Sequence, residues 1–354
     1  MRYIHMDSVE PGHLLGKTIY ASNGTILLTA GVQITVFMIS TLKRIGVTNL
    51  YITDPKFQDI EIEEELLSEE TKRSLIRSMS ETLDAIRSGK DFNSRSVSLS
   101  VEDMLEDVLR NKDVLLHLND IRTRDNAAFV HAMNVCMISA LLGIHMNLNQ
   151  VQQKELAIGA LLHDLGKPQD EPEFDFEPVD DEAAKNKQQA KHHTWRGFQL
   201  LKAKREFSLL IAHVALQHHE HIDGSGEPRG LAGEQIHLYS RIVAVANTYD
   251  NLLQEVHNGK PVLPHIACER LLAMSGKELD HEVVVQFMRV VSVYPNGVSV
   301  RLSTRESGVV VGQHRGLPGR PVVRLLEREG DDSIGSREID LAKENTVFIE
   351  QVMG

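Results

Sequence analysis

From about residue 100 to residue 275, apolar residues recur at helical spacing in AAFVHAMNVCMISALLGIHM, QKELAIGALLHDLG, REFSLLIAHVALQHHE and IHLYSRIVAVANTYDNLL, with Gly and Pro punctuating the joins. A chain patterned this way is confined to a helical core. The same runs carry two adjacent polar pairs, His163-Asp164 and His218-His219. Neighbours in a helix point about 100° apart, so a single ion rarely takes both members of such a pair. Paired ligands point instead to a cluster of metals, with Asp164 as the bridging carboxylate. The apolar helix leading to Asp164 would bury it, and a buried carboxylate is costly unless it is paired or bound to a cation.

At 354 residues the chain exceeds one typical core and predicts two or three domains. A net charge of -12 argues against a duplex nucleic-acid binder, while leaving room for a local basic pocket that grips a small anion. Cys136 and Cys268 are too few for a disulfide framework or a thiolate cage and read as reduced core residues. The N-terminus MRYIHMDSVEPG lacks an apolar signal core, and no run is expected to approach the roughly 20 apolar residues that span a bilayer. The expectation is a cytoplasmic protein without membrane insertion. Nine of the 17 histidines fall between positions 131 and 221, which concentrates nitrogen ligands in the helical region.

Residues 1–55 read as a small mixed α/β module, with turns at Pro11-Gly12 and Asn23-Gly24, an amphipathic helix in VFMISTLKRIG and a strand in TNLYI. Residues 56–100 turn acidic and polar and read as a connector, helical in part, with a flexible stretch in SGKDFNSRS. The helical domain is expected over 101–285, and the acidic stretch between Lys167 and His192 reads as a surface excursion or lid. Over 286–354 the period changes to short β-branched runs, GVSVRLS, SGVVVGQ and RPVVRLLE, which predict a small β-rich appendage. The fold class is mainly α, an all-helical core flanked by two small modules.

His131 sits within an apolar stretch, where a lone histidine is more often a satisfied core residue than a ligand. Lys167 lies at i+3 from Asp164; if the helix persists past Gly166, its ammonium shares that face and suits a phosphate oxygen, the alternative being a lysine favoured by a helix C-terminus. His192-His193 precedes a helix starting near Trp195. His218-His219 closes an apolar helix and opens the loop HIDGSGEPRGL, whose glycines let backbone approach a phosphodiester. Taken singly, each such histidine is also an exposed helix cap. Nitrogen and oxygen donors favour Fe, Mn or Zn. Two such ions about 3.5–4 Å apart would generate hydroxide and stabilise both oxygens of an in-line displacement, which makes phosphoester hydrolysis the natural chemistry.

These residues resemble the HD-GYP family, the branch of the HD phosphohydrolases that cleaves cyclic di-GMP. The resemblance rests on D-N-A-A-F-V-H-A-M-N-V (Asp125 to Val135), L-L-H-D-L-G-K (Leu161 to Lys167), H-T-W-R-G (His193 to Gly197) and H-H-E-H-I-D-G-S-G-E-P-R-G-L (His218 to Leu231). It covers about residues 120–275, and the N-terminal segments P-G-H-L-L-G-K-T-I-Y and G-T-I-L-L-T-A-G resemble a small module that often precedes this domain. The resemblance implies an HD-type core with two or three divalent metals held by His131, His163, Asp164, His193, His218 and His219. It further implies catalytic roles for Asp164 and Lys167, with substrate binding by Lys167, Gly224, Gly226, Glu227 and Pro228. The implied reaction turns cyclic di-GMP or a related cyclic dinucleotide into linear pGpG or GMP, and the flanking modules are expected to serve regulation or oligomerisation, a homodimer among the options.

Two positions depart from the family pattern. Glu227 stands where the G-Y-P signature has tyrosine, which sets an acid beside a dianionic ligand. Asn247, in Val245-Ala246-Asn247, stands where the last metal-ligating aspartate belongs; its carbonyl oxygen can still coordinate but brings no charge. These departures keep two other functions open: a degenerate module that binds metal or cyclic dinucleotide without efficient turnover, and an HD hydrolase of another nucleotide.

Overall fold

Strands β1 (Arg2–His5), β2 (Leu14–Leu15), β3 (Ile19–Tyr20) and β4 (Ile26–Leu28) are followed by helix α1 (Val36–Arg44) and strand β5 (Asn49–Thr53). β5 lies between β1 and β2 and is antiparallel to both, with Tyr3 opposite Tyr51 and Leu15 opposite Ile52; β3 and β4 form a separate hairpin. α1 starts where Thr35 Oγ1 accepts the Met38 amide and stops at Gly46, whose φ of 91° reverses the chain. Leu15, Ile19, Ile34, Leu42 and Leu50 make the core of this module. The expected amphipathic helix and the strand in TNLYI are both present. The computed structural model describes the chain except residues 1, 22, 54–65, 117, 119–120, 124, 168–192, 258–259, 315, 327–336 and 354.

Helices follow: α2 (Glu69–Arg87), α3 (Ser94–Arg110), α4 (Ala127–His145), α5 (Gln150–Leu161), α6 (His193–Lys202), α7 (Leu209–Gln217) and α8 (Leu238–Gln254). A short hairpin of β6 (Val256–His257) and β7 (Lys260–Pro261) then leads to α9 (Pro264–Met274) and α10 (His281–Val290). Leu66–Lys112 and Ala128–Phe287 cluster as one unit, so the sequence boundary at 101 falls inside α3. The stretch read as an acidic connector holds two amphipathic helices. Their buried faces, Leu75, Ile76 and Met79 on α2 and Val97, Val101 and Met104 on α3, pack α2 on α3 and α3 on α5. The flexible stretch expected in SGKDFNSRS is a link in which Phe92 is buried and Asn93 caps α3. The acidic stretch read as a lid, and His192 with it, lie outside the described residues.

α4 corrects the expectation on apolar runs: at 19 residues it is long and apolar enough to cross a membrane by length and composition. Buried over most of its surface, it is the central helix of this unit, apolar all round because every side meets protein.

Met1–Glu65, Asp113–Ala127 and Met288–Gly354 form the other unit. Its C-terminal part is a five-stranded antiparallel sheet of β8 (Ser299–Leu302), β9 (Ser307–Gly312), β10 (Val322–Leu325), β11 (Glu338–Asp340) and β12 (Ile349–Met353), in the order β11-β10-β9-β8-β12. β12 returns to close on β8, and Val300, Leu302, Val310, Val323 and Ile339 fill the sheet's core. β8, β9 and β10 fall on the β-branched runs that predicted them, while β11 and β12 lie outside those runs.

Candidate metal centre

α5 makes its last helical bond from the Leu162 amide to the Ile158 carbonyl, and residues 162–166 leave the helix as a turn. His163 and Asp164 therefore lie just past the helix, where the sequence reading carried it on through the pair. The cause is a close crossing with α6: a Cβ on Gly166 would overlap the His193 carbonyl and the Gly197 amide nitrogen. Only glycine allows that approach, and it brings His193, the first residue of α6, beside the pair. α7 is drawn against α5 in the same way, because a Cβ on Gly159 would stand 2.8 Å from Val214 Cγ2. His218 then caps α7 with its amide on the Val214 carbonyl, and His219 follows in the turn.

His131 enters from the second turn of α4, buried, with Nδ1 2.6 Å from Asp250 Oδ2 on α8. Asp250 is itself fully buried and accepts Asn134 Nδ2 on Oδ1 and Gln254 Nε2 on Oδ2. Five imidazoles thus surround one carboxylate. Asp164 Oδ2 lies 3.5 Å from His131 Nε2 and 3.3 Å from His163 Nε2; its Oδ1 lies 3.4 Å from His193 Nε2 and 3.5 Å from His218 Nε2. Two ligand groups result, Asp164 with His193, His218 and His219, and Asp164 with His131 and His163, each with its donor atoms within 4.8 Å of one another.

Hydrogen bonding fixes what these rings offer. His163 Nδ1 donates to the Ala160 carbonyl at 2.7 Å and His218 Nδ1 to the Ala215 carbonyl at 2.9 Å, so the Nε2 of each turns a lone pair inward. The Nε2 atoms of His131 and His163 then face each other at 3.3 Å, those of His193 and His218 at 3.4 Å, and those of His219 and His193 at 3.2 Å. Asp164 Oδ1 is buried with no hydrogen-bond partner among the described residues. Converging ring nitrogens and a carboxylate oxygen without a hydrogen-bond partner among the described residues are what divalent cations would satisfy, and the donor set of nitrogen and oxygen fits Fe, Mn or Zn.

The titration of the groups follows their surroundings. Burial pushes His218 down to about 4, and it takes His219, with His218 and His193 beside it, down to about 2, so both are neutral at ordinary pH. Burial also works against the charged form of His131, but hydrogen bonds to Asp164 and Asp250 outweigh it and raise that ring to about 9. For Asp164 burial would raise the carboxyl, yet His163 and the other imidazoles hold it far below the usual carboxylate range.

Of the other expected site residues, Lys167 touches a side chain of this cluster. Lys167 is half-exposed, and its Nζ stands 2.5 Å from Asp164 Oδ2 even though the helix does not continue to it. Asn247 is buried on α8, its Oδ1 accepting Asn251 Nδ2 at 2.9 Å. Gly224, Gly226, Glu227 and Pro228 lie in the loop after His219, where the Glu227 amide donates to the His219 carbonyl at 3.0 Å.

Two residues were given no role by the sequence reading. Asp250 buttresses His131, and its signal was the one applied to Asp164, an acid in an apolar helix. Glu220, buried beside the histidine pair, accepts the Arg229 and Leu231 amides on its two carboxylate oxygens, both at 2.8 Å. Its partners lie nine and eleven residues away, beyond any local pattern.

A family model described as an HD domain matches residues 103–283, and one described as a KOW domain associated with HD domains matches 299–354. A cyclic di-GMP phosphodiesterase of Pseudomonas aeruginosa is 31% identical over 240 residues, 64% of this chain and 55% of its own length. A cyclic di-GMP phosphodiesterase of Thermotoga maritima is 31% identical over 193 residues, 53% of this chain and 50% of its own. A 3'3'-cGAMP-specific phosphodiesterase of Vibrio cholerae is 31% identical over 140 residues, 40% of this chain and 32% of its own. The chain spans about half the length of the first two of these relatives. Among solved structures, an HDG"Y"P protein of Bdellovibrio bacteriovorus aligns over 80% of this chain and 97% of its own at 18% identity, with a TM-score of 0.48.

Proposed function

This chain belongs to the HD domain family, and on that footing we propose that it is a metal-dependent phosphodiesterase of cyclic dinucleotides, cyclic di-GMP first among them. The observation that carries the reading is the sharing of Asp164 between two ligand groups, one through each side of its carboxylate. His131 and His163 would hold one divalent ion, and His193, His218 and His219 the other. When bound, such a pair supplies a lowered pKa for water and Lewis acidity at the phosphoryl oxygens.

The rest of the chemistry is the protein's own. Buried rings with fixed tautomers orient the donors before any ligand arrives, so little reorganisation is left to the reaction. Lys167, half-exposed on Asp164 Oδ2, can exchange that carboxylate for a phosphate oxygen as charge builds on phosphorus. The loop over 221–231 lies directly after the histidine pair, and its glycines would let its backbone come close to the nucleotide. Water adds at phosphorus, the bond to the 3'-oxygen breaks, and the 3'-hydroxyl leaves with a proton. One such step gives linear pGpG and two give GMP. Incubating protein loaded with Fe, Mn or Zn with cyclic di-GMP, and resolving products, tests this: linear pGpG or GMP is the expected result, and intact substrate under all three metals overturns it.

A second reading, a degenerate module that binds without efficient turnover, is favoured by Asn247, whose carbonyl oxygen is already taken by Asn251. Asn247→Asp discriminates the two. In a working enzyme the substitution changes turnover by less than about tenfold, a barrier change near 1.4 kcal/mol, whereas a much larger gain identifies a site that lost its activity.

A further inference from the structure

We infer that Glu220 is a positioning residue, a buried clamp that fixes the 221–231 loop in the shape needed to hold a cyclic dinucleotide beside the metal ligands. The role of the loop rests on the phosphodiesterase reading; the clamp itself rests on geometry. Glu220 follows His219 directly, is 2% exposed, and spends both carboxylate oxygens on the amides of Arg229 and Leu231 at 2.8 Å. Charge-assisted bonds from two amides to one buried carboxylate are among the stronger contacts a loop can have. Together they fold the far end of the loop back onto the residue that starts it.

The segment so closed has little freedom elsewhere. Ile222 and Asp223 donate their amides to the Glu278 and Lys277 carbonyls, Gly233 donates back to Ile222, and Ser225 donates to Asp223 Oδ1. Beyond Ser225 lie Gly226 to Pro228, where the Glu227 amide donates to the His219 carbonyl. A Cβ on Gly226 would overlap the His221 amide nitrogen and stand 2.5 Å from the His219 carbonyl, so backbone packs on backbone where the loop passes the ligand pair. Without the Glu220 carboxylate the anchor at Arg229 and Leu231 is lost, while the imidazoles, held by α4, α5, α6 and α7, keep theirs. Glu220 therefore acts on ligand affinity, separately from metal loading.

The test compares full-length wild type with Glu220→Gln, which keeps the shape but can accept on one oxygen only, and with Glu220→Ala. Amide hydrogen exchange at Arg229 and Leu231, metal content, and kcat and KM for cyclic di-GMP are read on each. We expect exchange at the two amides to accelerate in both variants, metal content to stay at the wild-type level, and KM to rise about tenfold in Glu220→Gln and further in Glu220→Ala, with kcat within about threefold. Unchanged protection of the two amides overturns the clamp; lost protection with unchanged KM overturns its role in binding. Loss of metal together with kcat would assign Glu220 to the metal centre instead and equally overturn the inference. If wild type leaves cyclic di-GMP intact, the phosphodiesterase reading fails by itself, and the exchange measurement still decides the clamp. Should Glu220→Ala not fold, Glu220→Gln carries the comparison alone.

Discussion

Asp250 Oδ2 stands 2.6 Å from His131 Nδ1, which leaves the opposite nitrogen of the ring facing His163 and Asp164. A buried carboxylate behind an imidazole is the arrangement that fixes a metal ligand's tautomer and raises its basicity. Asp250→Asn keeps the shape and the contact with Asn134 or Gln254 but removes the charge. We expect metal affinity at the His131 and His163 group to fall by about 10–100-fold, measured by competition with a chelator, with the fold unchanged by circular dichroism. Wild-type affinity in the variant would remove Asp250 from the site.

Gly166 sets the distance between His163-Asp164 and His193. In Gly166→Ala the new methyl must push α6 away from the turn, because what it meets is backbone that cannot rotate aside. We expect a loss of stability of at least about 1–3 kcal/mol, read by urea unfolding, together with loss of bound metal. A variant as stable as wild type that keeps its metal would mean the crossing is looser than it looks.

Asp107 on α3 accepts the Ser68 amide at 2.9 Å and the Thr71 hydroxyl at 2.6 Å, and so holds the start of α2. Burial would raise its carboxyl, but these bonds, Thr71 first, keep it below its ordinary value of 3.8. A carboxyl depressed by folding stabilises fully above the unfolded value and loses that contribution as pH falls through the folded one. Asp107→Asn is therefore expected to be less stable than wild type at neutral pH, by about 1–3 kcal/mol, with the gap closing below pH about 4. A gap that does not change with pH would show that the carboxylate charge plays no part.

His163-Asp164 and His218-His219 stood out in the sequence because each pair closes an apolar run, and burial of a polar end needs a reason. His131, within such a run, and His193, which opens a helix, entered the candidate set through the family resemblance. The sequence reading misplaced the local structure of His163-Asp164, since periodicity continues through Leu165 while the turn is imposed by a contact between Gly166 and α6 that no local window contains. The acidity of 56–100 left that stretch as a connector helical in part and concealed the buried faces of α2 and of the start of α3, Leu75, Met79 and Val97 among them. The partners of Glu220 and Asp250 were hidden for a related reason: those of Glu220 lie nine and eleven residues on, and Asp250, though an acid in an apolar helix, meets His131 on another helix.

Elemental analysis of anaerobically purified full-length protein tests most directly the claim that Asp164 joins two metal groups. We expect about two ions of Fe, Mn or Zn per chain, falling by about one in His163→Ala while the ion at His193, His218 and His219 remains. Metal content near zero in wild type, under conditions where the protein is folded, would contradict it.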